Sequence, residues 1–338
     1  MTNKTSFLAT SLSGLLALVL GACTSEVADG GNTPADGPVP ISFQTPETRA
    51  AKDGFDVGDA FSVWGWYADD AGTNSRQVFN AEEVTNGGNN SWSYDGTQYW
   101  IAGKTYDFYA VYPTDVNAQV SQDGTITIDD FDASQTGADA VDLMTASATG
   151  MKGDSPQMVG LRFGHELTRI AFAVKLSDDM PVGYKVNVHT LSFVAYGRGD
   201  MERANGAEAR WVFENNAWKN YQLDDKLRNN TDITATGTSN NTVVITPADL
   251  LMIPQTISQQ HKVRMNYTLD NGKPADDPAY QYINNTIDIP LTNASLPSWQ
   301  AGEALTYTII ISRQNVTVVL SVGDWEDGNA GNEDVVME

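Results

Sequence analysis

The side chains able to do chemistry in these 338 residues are one cysteine, three histidines and a large excess of carboxylates. His165, His189 and His261 lie far apart. None belongs to a His-x-x-x-His or His-x-His pair, the spacing that brings two imidazoles to one metal. The acidic pairs Asp129-Asp130, Asp178-Asp179, Asp224-Asp225 and Asp276-Asp277 sit among turn-forming residues and read as solvated loop charges. A glycosidase needs two carboxyls at a fixed separation in space, which a sequence does not specify. The stretch from Asp324 to Asp334 is rich in oxygen donors but lacks the alternating Asp-x-Asp-x-Asp-Gly order of a calcium loop. Gly-x-Ser-x-Gly, P-loop and dinucleotide fingerprints are absent. The expectation is therefore no catalytic residues, no metal and no cofactor, and a protein that is not an enzyme. The tryptophans, Trp64, Trp66, Trp92, Trp100, Trp211, Trp218, Trp299 and Trp325, could stack on sugars, but in a β-sandwich such rings more often cover the core.

Cys23 is the exception to this quiet inventory. It ends the one long apolar run, in Leu20-Gly21-Ala22-Cys23, behind a charged start at Lys4 and the Leu-, Ala- and Val-rich residues 12–20. A charged head, a short apolar core and small residues make a secretory signal, too short to span a bilayer. A cysteine behind Leu-Gly-Ala resembles the lipobox of bacterial lipoproteins, whose thiol is acylated before the leader is cut away. Residues 1–22 are then a signal peptide, and Cys23 is the lipidation site of an exported, lipid-anchored precursor.

With 20 basic against 43 acidic residues, the net charge is −23, and loss of Lys4 with the leader makes the mature chain one unit more acidic. Such a surface repels phosphate backbones, so nucleic acid is excluded as a partner. Hydrophobic residues at 41% and aromatics at 9% mark a packed chain rather than a disordered acidic one. Once Cys23 is acylated no thiol remains for a disulfide, and stability must come from burial and hydrogen bonding. Residues 23–38 are small, polar and broken by proline, as a flexible tether requires.

The elements that follow alternate with period 2. Phe61, Val63 and Gly65 alternate with Ser62 and Trp64; Tyr106, Phe108 and Ala110 with Asp107 and Tyr109. Ile170, Phe172, Val174 and Leu176 share one face, and Val186 with Val188, Leu191 with Phe193, Ile309 with Ile311, and Val316 to Val322 repeat the theme. Asn-Gly, Asp-Gly and Gly-Asn turns separate these runs. Many short alternating strands joined by such turns predict an all-β fold of antiparallel sandwiches, with short helices in the connections. A small-residue stretch over 145–157 places the break between an N-terminal sandwich, 39–157, and a C-terminal one, 158–338.

An ordered series of segments then stands out. Val39-Pro-Ile-Ser-Phe-Gln-Thr-Pro-Glu-Thr-Arg-Ala50 is a short strand, with Ile41 and Phe43 on one face, followed by a turn and Arg49-Ala50. After it come Asp56-Val-Gly-Asp-Ala-Phe-Ser-Val-Trp64, Tyr99-Trp100, Tyr106-Asp-Phe-Tyr-Ala-Val-Tyr-Pro113 and Asp142-Leu-Met144. Leu161-Arg-Phe-Gly-His-Glu-Leu167, Met252-Ile-Pro-Gln255, Trp299-Gln-Ala-Gly-Glu303, Tyr307-Thr-Ile-Ile-Ile311 and Val322-Gly-Asp-Trp325 complete it. From the lipobox to Trp325 the series resembles the fimbrillin family of Bacteroidales, the subunits of type V pili.

That resemblance implies two tandem transthyretin-like β-sandwich domains and a maturation pathway. The subunit reaches the cell surface as a lipoprotein, and an arginine-specific surface protease cuts after the arginine behind the first strand, here Arg49, leaving Ala50 as the new N-terminus. The strand bearing Ile41 and Phe43 is released, and a strand from a neighbouring subunit fills the groove by donor-strand exchange. The candidate donor is the C-terminal end, with Val335, Val336 and Met337. The implied partners are other pilin subunits, of the same or another kind, and a host or bacterial surface ligand. The implied location is the outer membrane first and an extracellular fimbrium after processing. Shaft and tip positions both remain open, since three apolar residues make a short donor. The alternative reading is a surface-anchored glycan-binding lipoprotein that keeps its anchor and uses its tryptophans as a sugar platform.

Overall fold

In the computed structural model the described residues are 37–45, 55–69, 72, 74–89, 91–214, 217–223, 227, 232–237, 240–247, 250–292, 296–325 and 333–337. The alternating runs become strands because β-branched and aromatic side chains pack best on a pleated surface with one face turned to a core. In the first half these are β1 (Phe43–Gln44), β2 (Ala60–Asp69), β3 (Arg76–Asn86), β4 (Trp92–Ser93), β5 (Lys104–Tyr112), β6 (Ala118–Val120), β7 (Ile126–Asp132), β8 (Met144–Lys152), β9 (Val159–Gly160) and β10 (Gly164–His165). A short 3-10 turn, Gly137–Asp139, connects β7 and β8. Six strands form one sheet in the order β10-β8-β5-β2-β3-β4, and the parallel pair β1-β9 lies apart from it. Phe61, Val63, Phe79, Tyr106 and Phe108 from the sheet gather with Ile41, Phe43, Val159, Leu161 and Phe163 into an aromatic-rich core.

The second half contains β11 (Thr168–Leu176), β12 (Lys185–Tyr196), β13 (Arg198–Arg203), β14 (Arg210–Val212), β15 (Trp218–Gln222), β16 (Asp232–Thr234), β17 (Val243–Val244), β18 (Leu251–Met252), β19 (Lys262–Asp270), β20 (Tyr282–Pro290), β21 (Glu303–Ile311), β22 (Val316–Asp324) and β23 (Glu333–Met337). One sheet runs β17-β11-β21-β22-β23, with β18 also on β11; a second runs β15-β12-β19-β20, with β16 also on β12. Their facing side chains, among them Phe172, Val174, Phe193, Met265, Tyr307 and Ile309, form the largest core among the described residues. Not every pairing is antiparallel, as the turn-rich sequence suggested. β11 runs parallel to β21 through eight pairs, from Arg169 opposite Ala304 to Leu176 opposite Ile311. Strands this distant in sequence are joined by crossovers and not hairpins, so no local turn constrains their direction.

Between these cores lies a four-stranded sheet, β14-β13-β7-β6, that draws strands from both halves. Trp64 and Val111 of the first sheet pack with Ile126, Ile128, Phe131, Met201, Leu167 and Trp325 in a third cluster. The strands β2 and β5 are thus buried on both faces, which explains why Trp64 and Tyr109, on the apparent outer side of each alternation, are only 4% and 3% exposed. Beyond residue 157, β9 still pairs with β1 and β10 with β8. The passage from the first core to the second falls between Phe163 and Ile170.

Candidate functional site

The chain enters the first core through residues 39–45, an extended segment whose two edges are bonded to different partners. On one side the Trp100 N–H donates to Val39 O at 2.9 Å, and the Ile41 N–H donates to Gln98 O at 2.8 Å. On the other, the Val159 N–H donates to Ser42 O at 2.7 Å and the Leu161 N–H to Gln44 O at 2.9 Å. The Tyr94 hydroxyl adds a bond to Ile41 O at 2.9 Å. A strand bonded on both edges is an interior strand, and its removal would leave unpaired groups on both neighbours.

Alternation sends Ile41 and Phe43 inward, where they are 2% and 1% exposed, while Val39 is 41% exposed at the rim. The Phe43 ring meets Phe79 at 5.4 Å, Phe108 and Tyr94 at 5.9 Å and Phe61 at 6.3 Å, all edge to face. Edge-to-face contacts between rings at such distances are favourable beyond the area they bury. Space for this ring cluster depends on Gly65 in the middle of β2. A Cβ there would stand 2.9 Å from Phe108 Cδ1 and 3.1 Å from Phe79 Cδ2. A glycine inside a strand commonly marks such a close approach. Alternation around Ile41 and Phe43 was visible in the sequence. The partners Tyr94, Phe79 and the short β9 were not, because nothing local ties them to residue 43.

At the other end of the chain, β23 lies antiparallel on β22, with Val335 opposite Leu320, Val336 opposite Val319 and Met337 opposite Val318. Trp325, the last described residue before β23, is anchored. Its ring stacks on His165 at 3.8 Å and 6°, the Arg169 guanidinium lies 5.4 Å from the ring, and its N–H donates to Gly302 O at 2.8 Å. His165 is itself held by Asp142, Nδ1 to Oδ2 at 3.0 Å. Beside it, Glu166 is buried and accepts a bond from the Thr145 hydroxyl at 2.5 Å, with Arg203 Nη1 at 3.4 Å. Burial raises the Glu166 pKa above its usual value, against the opposing pull of Arg203. These groups pin the passage between the two cores.

The remaining histidines have structural partners. His261 donates from Nε2 to Gln255 Oε1 at 2.8 Å and accepts the Ser258 N–H at Nδ1, 2.9 Å. That pattern belongs to the neutral ring, and burial lowers its pKa to about 4. His189 Nε2 lies 3.2 Å from Thr268 Oγ1. Asp129, Asp130, Asp178, Asp179 and Asp276 are exposed, and Asp277 is half-buried. Among the described residues no group of His, Cys, Asp and Glu gathers as a metal site would need. Trp64, Trp92, Trp100, Trp299 and Trp325 are buried, and Trp66, Trp211 and Trp218 are half-buried. The rings therefore do not form an exposed platform. Cys23, Arg49 and Ala50 lie outside the described residues, as do Asp224 and Asp225.

The profile of the fimbrillin-like family matches residues 48–325. A curated protein of Bacteroides uniformis with the provisional designation fimbrium subunit Fim1C is 24% identical over 333 residues, covering 94% of this chain and 95% of its own. Among solved structures, a fimbrial protein from Bacteroides vulgatus superposes with a TM-score of 0.61 at 19% identity, over 85% of this chain and 99% of that one. A Bacteroides ovatus protein provisionally assigned to cell adhesion gives 0.51 at 16% identity, over 86% and 99%.

Proposed function

The chain belongs to the fimbrillin-like family, and from that premise we propose that it is a structural subunit of a surface fimbrium whose first strand is replaced on assembly by a strand from a neighbouring subunit. The observation that carries this reading is the seat of Phe43. A side chain at the centre of four aromatic rings belongs to a short segment at the very start of the fold, bonded on both edges. Excision would remove two fully buried apolar side chains. At about 2–5 kcal/mol for each such loss, the total rivals the roughly 5–15 kcal/mol that stabilises a whole domain. A cut subunit is therefore driven to refill the groove.

In this proposal Cys23 carries the lipid that delivers the precursor to the outer membrane, and cleavage after Arg49 frees Ala50 and releases the segment with Ile41 and Phe43. The C-terminal strand, with Val335, Val336 and Met337, is the donor to the next subunit. Two tandem sandwiches serve as the repeating body, with the break not at residue 157 but between Phe163 and Ile170, because Val159, Leu161 and Phe163 still pack in the first core; the fimbrium supports adhesion at the cell surface. The glycan-binding alternative has no comparable support, since the tryptophans it would use are buried or half-buried.

Mass spectrometry of surface-extracted protein tests the maturation step. An N-terminus at Ala50 is expected in fibres, and Arg49→Ala should leave lipidated monomers. Undiminished fibres in that variant would overturn the cleavage step, and undiminished fibres from a chain lacking residues 333–338 would overturn the donor assignment.

A further inference from the structure

Among the described residues the strand β20 ends its sheet on the side away from β15 and β16. It keeps unbroken register with β19 through nine pairs, from Lys262 opposite Pro290 to Asp270 opposite Tyr282. An edge strand carries a free row of N–H and C=O groups, and monomeric proteins blunt such edges with lysines, bulges, a central proline or a short length. The run Tyr282-Ile-Asn-Asn-Thr-Ile-Asp-Ile-Pro290 has one charge, no bulge, and proline only at its end. Its inward face is also incompletely covered. The residues opposite the buried Leu269, Tyr267, Met265 and Val263 are Ile283, Asn285, Ile287 and Ile289. Ile283 is nevertheless 50% exposed, and a cavity of about 350 Å³ opens between this face and the turn at Ser312–Val316.

We propose that β20 pairs antiparallel with β20 of a second copy of this chain, about a two-fold axis through Thr286, joining the two sheets edge to edge. Centring on Thr286 is the register that pairs all nine residues of the strand. It sets Ile283 against Ile289 and Asn285 against Ile287 on the inward face, and Asn284 against Asp288 on the outer one. A slip of one residue would put inward against outward side chains. Chemistry on the outer face is complementary. The Asn284 side-chain oxygen accepts from Asn266 Nδ2 at 3.0 Å, and its amide nitrogen can donate to Asp288 of the second copy. Asp288 is itself neutralised by Arg264, at 2.6 and 2.8 Å, with Lys262 at 3.8 Å. The edge thus meets its copy as a nearly neutral patch on a chain of net charge −23. An isologous contact closes on itself. It pairs subunits side by side and does not depend on replacement of the first strand.

The test uses the full chain with Cys23→Ser, which removes the single native thiol. Directly opposed residues of antiparallel strands have Cα atoms about 4.5–5.5 Å apart, within disulfide reach. Oxidised Thr286→Cys should form disulfide dimers at least tenfold faster than Asn284→Cys, whose two copies lie far apart in this register. Ile283→Lys, at a half-exposed site, should keep the parent's circular dichroism spectrum and reduce the dimer seen by sedimentation at least tenfold. Equal cross-linking of the two cysteine variants, or a monomer at hundreds of micromolar, would overturn the proposal. So would loss of the dimer on deleting residues 333–338, because the occupant of the edge would then be the C-terminal segment.

Discussion

Truncating Phe43 to alanine removes the ring that four other aromatic side chains surround, at centroid distances of 5.4 to 6.3 Å. The site is 1% exposed and walled by sheet residues, so it can collapse only partly, and a Phe→Ala change in such a core costs about 3–5 kcal/mol. At 1.4 kcal/mol per tenfold, this corresponds to an opening equilibrium shifted by roughly a thousandfold. The loss should be local, because Phe43 belongs to the first core and not to the cluster around Phe172 and Tyr307. Hydrogen exchange followed by mass spectrometry resolves the difference. Peptides from β2 and β5 should lose protection by about that factor, while those from β19 and β21 keep theirs. Val39→Ala, at the 41% exposed rim, serves as the control and should change protection by less than a few-fold. Unchanged exchange in β5, or a uniform loss across both cores, would refute the view that residues 39–45 complete the first core alone.

Gly65→Ala should destabilise by about 1–3 kcal/mol, through overpacking against Phe108 and Phe79, and lower the melting temperature of the first core. His261, with its pKa lowered to about 4, binds fewer protons folded than unfolded between pH 6.5 and 4. Stability should accordingly be complete above pH 6.5 and fall as the pH drops through that window. His261→Gln should flatten this slope in urea titrations, and an unaltered slope would show that the acid sensitivity arises elsewhere.

How far the sequence could be read depended on whether a strand faces one core or two. Ile170, Phe172, Val174 and Leu176 translate directly into the inner face of β11. In β12 the alternation changes phase, with Val186 and Val188 inward and then Leu191, Phe193 and Ala195. A register shift between Val188 and Thr190 absorbs the extra residue, a bulge that pattern alone does not distinguish from two separate strands. Trp64 and Val111 look like outer-face residues until the sheet β14-β13-β7-β6 covers them. The parallel pairings of β1 with β9 and β11 with β21 carry no local signal, because each unites segments far apart in the chain. The seat of Phe43 was legible by half. Its own alternation is local, but the four rings around it come from four separate stretches.

The pairing of β23 with β22 bears on what would drive strand replacement. Five residues of the candidate donor already pair within their own subunit, at the end of the sheet β17-β11-β21-β22-β23. Donating that strand breaks the ladder to β22 and makes bonds on the two edges that residues 39–45 vacate; with each bond worth about 0.5–1.5 kcal/mol net, the bonds lost offset most of those gained. The apolar site vacated by Ile41 and Phe43 does not cancel. Refilling it is worth about 1.5–3 kcal/mol per side chain, or about three powers of ten in the exchange equilibrium. While the first strand is in place the groove is full, and a donor from another subunit gains nothing by leaving β22. Under the proposed cycle, then, the excision and not the availability of the tail sets the direction of assembly.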